Sequence, residues 1–231
     1  MKVFKFQQFE IRQSHNVFRV GTDGVLLGAL ADVGNAARVL EVGTGTGLIS
    51  LMLAQRNPLA EFLGIDINEE AVALTRTNFE SSDFSPRLHN ILQDFKTYET
   101  GDRFDLIVSN PPYFEESGSV KDKIARQTVE LNFTQLISKS SKLLSEKGIF
   151  SVIIPVEAGE EFIRISRVNG LFLKRRIHIK GIESAKIKRL VLEFSLFDIP
   201  VEESEIIIEK SPRKYSDQYL ELTKEFHVFG K

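Results

Sequence analysis

The chain has 231 residues, 42% hydrophobic and 10% aromatic, enough to bury a core and to exclude disorder as a description of the whole. It contains no cysteine, which excludes disulfides, thiolate metal sites and cysteine nucleophiles and fits a reducing compartment. The net charge of −2 hides an asymmetry, because nine basic residues between Arg164 and Arg189 face Glu183 alone, a local +8 against −10 elsewhere.

The amino terminus, Met1 to Gln13, alternates apolar and polar residues and lacks the continuous apolar stretch of a secretory signal. The longest apolar runs, such as Gly148 to Val156, fall far short of the ~20 residues of a membrane helix, so a soluble cytoplasmic protein is expected. No repeat or low-complexity linker divides the chain. One domain is expected over 1–231: an amino-terminal hairpin and helix over 1–35, a core sheet over 36–198, and a strand and helix over 199–231.

Phe4, Phe6, Phe9 and Ile11 predict a hairpin that continues, after a Ser14-His15-Asn16 turn, into Val17 to Val20. Gly21-Thr22-Asp23-Gly24 then leads into a short buried helix, with Thr22 or Asp23 as its expected cap. From Arg38 a strand, glycine turn and helix alternate. Strands are predicted at Val39 to Val42, Glu61 to Ile67, Ile91-Leu92, Phe104 to Ser109 and Ile149 to Ile154. The helices are Leu48 to Arg56, Glu69 to Phe79, Leu131 to Leu144 and Glu160 to Val168. Two consecutive strands follow, Phe172 to Lys180 and Ile187 to Phe197. An extra strand over Glu205 to Glu209 and a helix over Ser216 to Phe226 are expected at the end. This order predicts an open α/β sheet with one antiparallel strand, whose ligand crevice lies at the carboxyl ends of the strands.

The motifs fall at those ends. Glu41-Val42-Gly43-Thr44-Gly45-Thr46-Gly47 leaves the first core strand and enters a helix, where glycines admit a ligand close to the backbone and the helix offers free N–H groups. A dinucleotide turn has the pattern G-x-G-x-x-G; here the third glycine comes one residue early and Leu48 stands where Gly or Ala is needed. Glu41 would oppose a pyrophosphate and suits a cationic ligand. Asp66, about 20 residues on, can accept both hydroxyls of a ribose. Asp94 is placed to accept from an adenine amino group, with Phe95 beside it to pack on the ring.

Asn110-Pro111-Pro112-Tyr113 follows the fourth core strand directly. Two prolines remove two N–H donors and fix φ, leaving carbonyls and the Asn side chain as acceptors. Such a set suits an exocyclic amine conjugated to a ring or carbonyl, whose lone pair is delocalised. Hydrogen bonds to the Asn110 side-chain oxygen and the Pro111 carbonyl pull that amine toward tetrahedral geometry, and Tyr113 offers a face for a planar group. The four histidines show no metal-ligand spacing, and no metal is expected.

The series E-V-G-T-G-T-G, G-I-D-I and Q-D-F resembles the Rossmann-like class I S-adenosylmethionine methyltransferases. That resemblance implies a mostly parallel seven-stranded sheet with one antiparallel strand and helices on both faces. It also implies Gly43, Thr44, Gly45 and Gly47 at the methionine part of the cofactor, Asp66 at the ribose and Asp94 at the adenine; Glu41, Ile67, Phe95 and Asn110 are further candidates for cofactor contact. N-P-P-Y is shared by adenine-N6 methyltransferases of nucleic acids, guanine-N2 enzymes of ribosomal RNA and glutamine-N5 enzymes of release factors. The chain is most similar to the bacterial tRNA1(Val) adenine-37 N6-methyltransferase family, through Phe4, Phe6 and Phe9, the R-V-G-T-D-G-V-L-L-G-A run from Arg19 to Ala29, L-x-F-S from Leu192 to Ser195, and Tyr215-Ser216 before a terminal helix ending in Phe226 and Phe229.

That resemblance implies Thr22 near the cofactor's methionine end, with the amino-terminal segment covering the site, and a base splayed from the tRNA anticodon stem–loop into the Tyr113 pocket. Arg175, Arg176 and Lys180 are then candidates for phosphate contacts. Lys121, Lys123 and Arg126, in the polar stretch after the motif, are candidates for a loop closing over the substrate. No obligate protein partner is evident. The guanine and glutamine acceptors, a non-catalytic RNA-binding module and, more distantly, a nicotinamide dehydrogenase stay open as alternatives.

Overall fold

In a computed structural model the structure describes residues 2–14, 17, 20–111 and 132–228. The chain begins with an antiparallel pair, β1 (Lys2–Lys5) and β2 (Glu10–Gln13), followed by α1 (Thr22–Leu30). Strand and helix then alternate as β3 (Arg38–Val42), α2 (Leu48–Arg56), β4 (Glu61–Asp66), α3 (Glu69–Glu80), β5 (Leu88–Leu92) and β6 (Phe104–Ser109). After them come α4 (Phe133–Leu143), β7 (Leu144–Pro155), α5 (Gly159–Val168), β8 (Phe172–Ile182), β9 (Ile187–Ser195), β10 (Glu202–Ser211), β11 (Lys214–Tyr215) and α6 (Asp217–Thr223).

The larger sheet runs β11-β10-β8-β9-β7-β6-β3-β4-β5. The centre of β6 is apolar on both faces: Leu106, Ile107 and Val108 are all buried, as a central parallel strand covered on both sides requires. One core, around Leu51, Met52 and Phe62, lies under α1 and α2; a second, around Phe150, Phe162 and Phe194, lies on the other face with α4 and α5. Local signals set several helix starts. The Asn68 side chain accepts from the backbone N–H groups of Glu70 (2.9 Å) and Ala71 (3.2 Å). Asn132 and Gln135 form a reciprocal capping box.

The structure departs from expectation in three places. The expected seven strands are present, with β9 antiparallel to both its neighbours; the extra strand expected over Glu205 to Glu209 is β10, which joins the same sheet, and β11, beyond expectation, brings it to nine. Strand β10 pairs with β8, which would otherwise present an open edge, and sets Ile206 and Ile208 against the core. The hairpin reverses over Phe6 to Phe9, where the Phe6 N–H donates to the Phe9 carbonyl (2.9 Å), rather than at Ser14-His15-Asn16; His15 and Asn16 lie outside the described residues. Neither Thr22 nor Asp23 caps α1. Gly21 occupies the cap without a side-chain bond, and Asp23 instead accepts from Arg189 Nε (2.9 Å).

Helices α1 and α2 lie side by side and parallel. A Cβ on Gly24 would stand 3.2 Å from Leu48 Cδ2, and one on Gly28 would stand 2.7 Å from Met52 Sδ. The equal offset of the two pairs sets the direction, since residues four apart share a helix face. Arg56 confirms it at the far end, donating to the carbonyls of Gly28 (2.9 Å) and Ala31 (2.7 Å). Both amino termini therefore meet the same end of the sheet. The two ends of the chain also meet, through Gln7 N–H on the Phe226 carbonyl (2.9 Å) and Phe6 stacked on His227.

Glu193, 1% exposed in β9, holds the carboxyl end of α1. It accepts from Arg175 Nη2 (2.8 Å) and Nε (2.9 Å) and from the Asp32 N–H (2.9 Å), while Arg175 Nη2 also donates to the Leu30 carbonyl (2.6 Å). Removing one partner of a buried pair strands the other charge, so Arg175→Met should lower the unfolding free energy by about 3–5 kcal/mol in urea titration. A double variant with Glu193→Gln should recover part of that loss.

Candidate active site

The turn from β3 to α2 is held at φ +75° for Gly43, +56° for Gly45 and +78° for Gly47. That conformation suits glycine, but the three positions differ in surroundings. A Cβ on Gly47 would stand 2.6 Å from Phe79 Cε1, so this glycine serves packing against α3. Beside Gly43 and Gly45 there is open space, with nothing within 4 Å of either Cβ position. These two are the surface a ligand can approach.

The turn is fixed from three sides. From below, Glu41 Oε2 accepts from Thr44 Oγ1 (3.0 Å), the Ser50 N–H (3.1 Å) and Ser50 Oγ (2.5 Å). From β4, Asp66 Oδ2 accepts from the Gly45 N–H (2.9 Å), while Oδ1 accepts from the Asn68 N–H (2.9 Å). From α3, Thr75 Oγ1 donates to the Gly45 carbonyl (2.9 Å) and Asn78 Nδ2 to the Thr46 carbonyl (2.8 Å). Asn78 also exchanges hydrogen bonds with the Arg12 backbone, tying the amino-terminal hairpin to the turn. Ser50, Thr75 and Asn78 were not singled out in the sequence. Their one signal was polarity on helix faces that turn out to be buried.

Each Asp66 oxygen keeps a further acceptor position, as a bidentate hold on a diol requires. Ile67 beside it is 61% exposed, and Leu92, opposite Asp66 in the β4–β5 register, is 51% exposed. Asp94 accepts from the Lys96 N–H (2.9 Å) and lies 3.4 Å from its ammonium. Phe95 is buried in the same core cluster as Val42 and Ile65, so the apolar surface open at these strand ends belongs to Ile67 and Leu92. Thr22 is exposed at the first turn of α1, which the Gly24–Leu48 approach sets beside the first turn of α2.

The register pair Val42↔Ser109, reinforced by Ser109 Oγ on the Val42 carbonyl (2.9 Å), brings half-buried Asn110 out of the sheet next to Gly43. Pro111 is buried. Pro112, Tyr113, Lys121, Lys123 and Arg126 lie outside the described residues. The basic strand residues are engaged elsewhere. Arg175 holds Glu193 and Lys180 faces Glu205 (2.8 Å). Arg176 stands between Glu160 (3.5 Å) and Glu203 (3.9 Å).

Two acceptors and a carboxylate with acceptor positions to spare thus flank a turn open to a ligand, at the switch point of a parallel sheet. The methyltransferase small-domain model matches residues 10–172. The chain belongs to that family. Its relatives named tRNA1(Val) (adenine(37)-N6)-methyltransferase include a protein of Flavobacteriaceae bacterium strain 3519-10, 52% identical over 99% of this chain and all of the relative. Another, from Phocaeicola vulgatus, is 41% identical over 97% of each chain. Among solved structures, an Agrobacterium tumefaciens protein described as a predicted O-methyltransferase superposes with a TM-score of 0.69 at 18% identity, over 88% of this chain and 96% of its own. At that identity the likeness shows the class I methyltransferase fold alone.

The protein is thus an S-adenosylmethionine-dependent methyltransferase, and its residues fit that cofactor. Gly43 and Gly45 leave room at the turn, and Asp66 has acceptor positions free for the ribose hydroxyls. Burial pushes the Glu41 carboxyl up from an ordinary 4.5 to about 7, against the lowering effect of its Ser50 and Thr44 hydrogen bonds. The fold accommodates the protonated form, so the stability tied to Glu41 is complete below pH 4.5 and is lost as pH rises through about 7. Urea unfolding of the cofactor-free protein between about pH 5 and pH 8 should show that decline, and Glu41→Gln should flatten it. Gly45→Ala should weaken cofactor binding about tenfold or more in calorimetry, as a methyl group would enter the open space beside the turn.

Proposed function

We propose that this methyltransferase modifies the N6 amino group of an adenine in the tRNA anticodon loop, adenine-37 of tRNA1(Val). The observation that carries the reaction type is the placement of Asn110-Pro111 beside Gly43 at the carboxyl edge of the sheet. The substrate rests on relatives of that name aligned over nearly the full length of the chain. Among the described residues no helix is long and apolar enough to cross a membrane, and a tRNA substrate puts the activity in the cytoplasm.

S-adenosylmethionine supplies a methyl group made electrophilic by its sulfonium. The chain supplies position and electrostatics. Asp66 holds the ribose, Asp94 the adenine amino group, and Ile67 gives the nucleoside apolar cover. The turn at Gly43 and Gly45, with Thr22 above it, receives the methionine part. Asn110 Oδ1 and the Pro111 carbonyl accept the two amine hydrogens of the target base, which holds the nitrogen and localises its lone pair. A base inside a stacked loop cannot reach these acceptors, so it is flipped out, with Tyr113 assigned to stack on it.

Asn110→Ala removes one of the two acceptors and should lower kcat about a hundredfold or more, with a much smaller loss of cofactor affinity. Incubation of the wild-type protein with labelled cofactor and tRNA, followed by nucleoside analysis, should yield N6-methyladenosine. Label in a guanine, or in a release-factor glutamine instead of RNA, would overturn the adenine assignment.

A further inference from the structure

Sorting the basic residues by what answers their charge separates two groups. Five cations of β8 and β9 face carboxylates: Lys174 with Asp32 (3.3 Å), Arg175 with Glu193, Arg176 with Glu160 and Glu203, Lys180 with Glu205, and Arg189 with Asp23. Most of the +8 run is therefore spent on internal pairs. The cations of two adjacent turns are different. Lys186 and Lys188, at the β8–β9 turn, and Arg213 and Lys214, at the β10–β11 turn, are all exposed and have no acidic partner among the described residues.

Those turns lie at the same edge of the sheet as Asn110. Strands β8 and β10 run in the same sense as β6 and β7, so their carboxyl ends share that edge. The pair Glu209↔Ile182 sets the two turns side by side. They stand two to five strands along the sheet from β6, ~10–24 Å at about 4.8 Å per strand. Tyr215, 43% exposed, follows directly. Glu183 is the acid within the first turn, and Glu209 accepts the Arg213 N–H (3.3 Å) in the second.

Arg213 carries a further signal. It sits at φ +65°, the one non-glycine residue at positive φ among the described residues. That conformation costs a side-chain-bearing residue roughly 1–2 kcal/mol, and glycine would relieve it. The turn holds a long, exposed cation there instead.

We propose that Lys186, Lys188, Arg213 and Lys214 form a shelf that binds the phosphodiester backbone of the tRNA next to the target loop, an inference that rests on the RNA-substrate reading above. On this view β10 and β11, the strands beyond the expected seven, extend the sheet edge to reach the RNA. Unpaired cations that neutralise phosphates release counterions, so binding through them is steeply salt-dependent.

The test compares tRNA binding by wild type and by a K186A/K188A/R213A/K214A variant across a salt series, with KM and kcat for tRNA methylation. The variant should bind tRNA at least tenfold more weakly. Its slope of log affinity against log salt should be shallower by about 3, at roughly 0.7–0.9 per phosphate contact. KM for tRNA should rise in step, with kcat at saturating tRNA and cofactor affinity unchanged. A K142A/K147A control neutralises two exposed lysines at the opposite edge and should match wild type. If wild type methylates tRNA and the four-site variant matches it in affinity, slope and KM, the shelf is refuted alone. If wild type neither binds nor methylates tRNA, the substrate reading falls and takes the shelf with it.

Discussion

A carboxylate shut away from water at the end of β3 must find hydrogen-bond donors, and Glu41 takes them from the turn and helix that follow it. Leaving a buried carboxyl group without hydrogen-bond partners costs about 1–3 kcal/mol, so Thr44 and Ser50 are drawn in beneath it. That closes the glycine turn from below. Asp66 holds it from β4, and Thr75 and Asn78 hold it from α3. Such a turn is shaped before a ligand arrives, and binding does not have to order it.

Parallel strand pairing then gathers the chemistry. Because β3, β4, β5 and β6 run in one direction, the glycine turn, Asp66, Asp94 and Asn110 all emerge at one edge although they span about 70 residues of sequence. The parallel packing of α1 on α2 adds a second helix amino terminus at the same place. Glu193 and Arg175 anchor the far end of α1, so residues of β8 and β9 indirectly support the helix that stands beside the glycine turn.

Charge shows how far sequence and space can part. A run of nine cations with one acid suggests an open basic surface. In the fold, β10 brings Glu203 and Glu205 against Arg176 and Lys180, and β9 brings Glu193 against Arg175. Within that run Lys186 and Lys188 have no acidic partner among the described residues, and Arg213 and Lys214 join them from a neighbouring turn on the edge that carries the acceptor motif.

The sequence by itself determined the alternation of strands and helices, since hydrophobic period, capping Asn68 and Asn132, and glycine turns act over a few residues. Helix α2 and strand β6 have the very bounds expected of them. It also pointed to the candidate site, because Gly43 and Asn110 follow a strand directly and Asp66 ends one, and a strand end needs no distant partner to be recognised. Only the tertiary structure decided that Asp23 pairs with Arg189 instead of capping α1, that Thr75 and Asn78 hold the turn, and which cations of the basic run meet carboxylates. Those outcomes depend on partners tens to well over a hundred residues away, and a hydrogen bond or ion pair depends on distance in space, which local sequence does not carry.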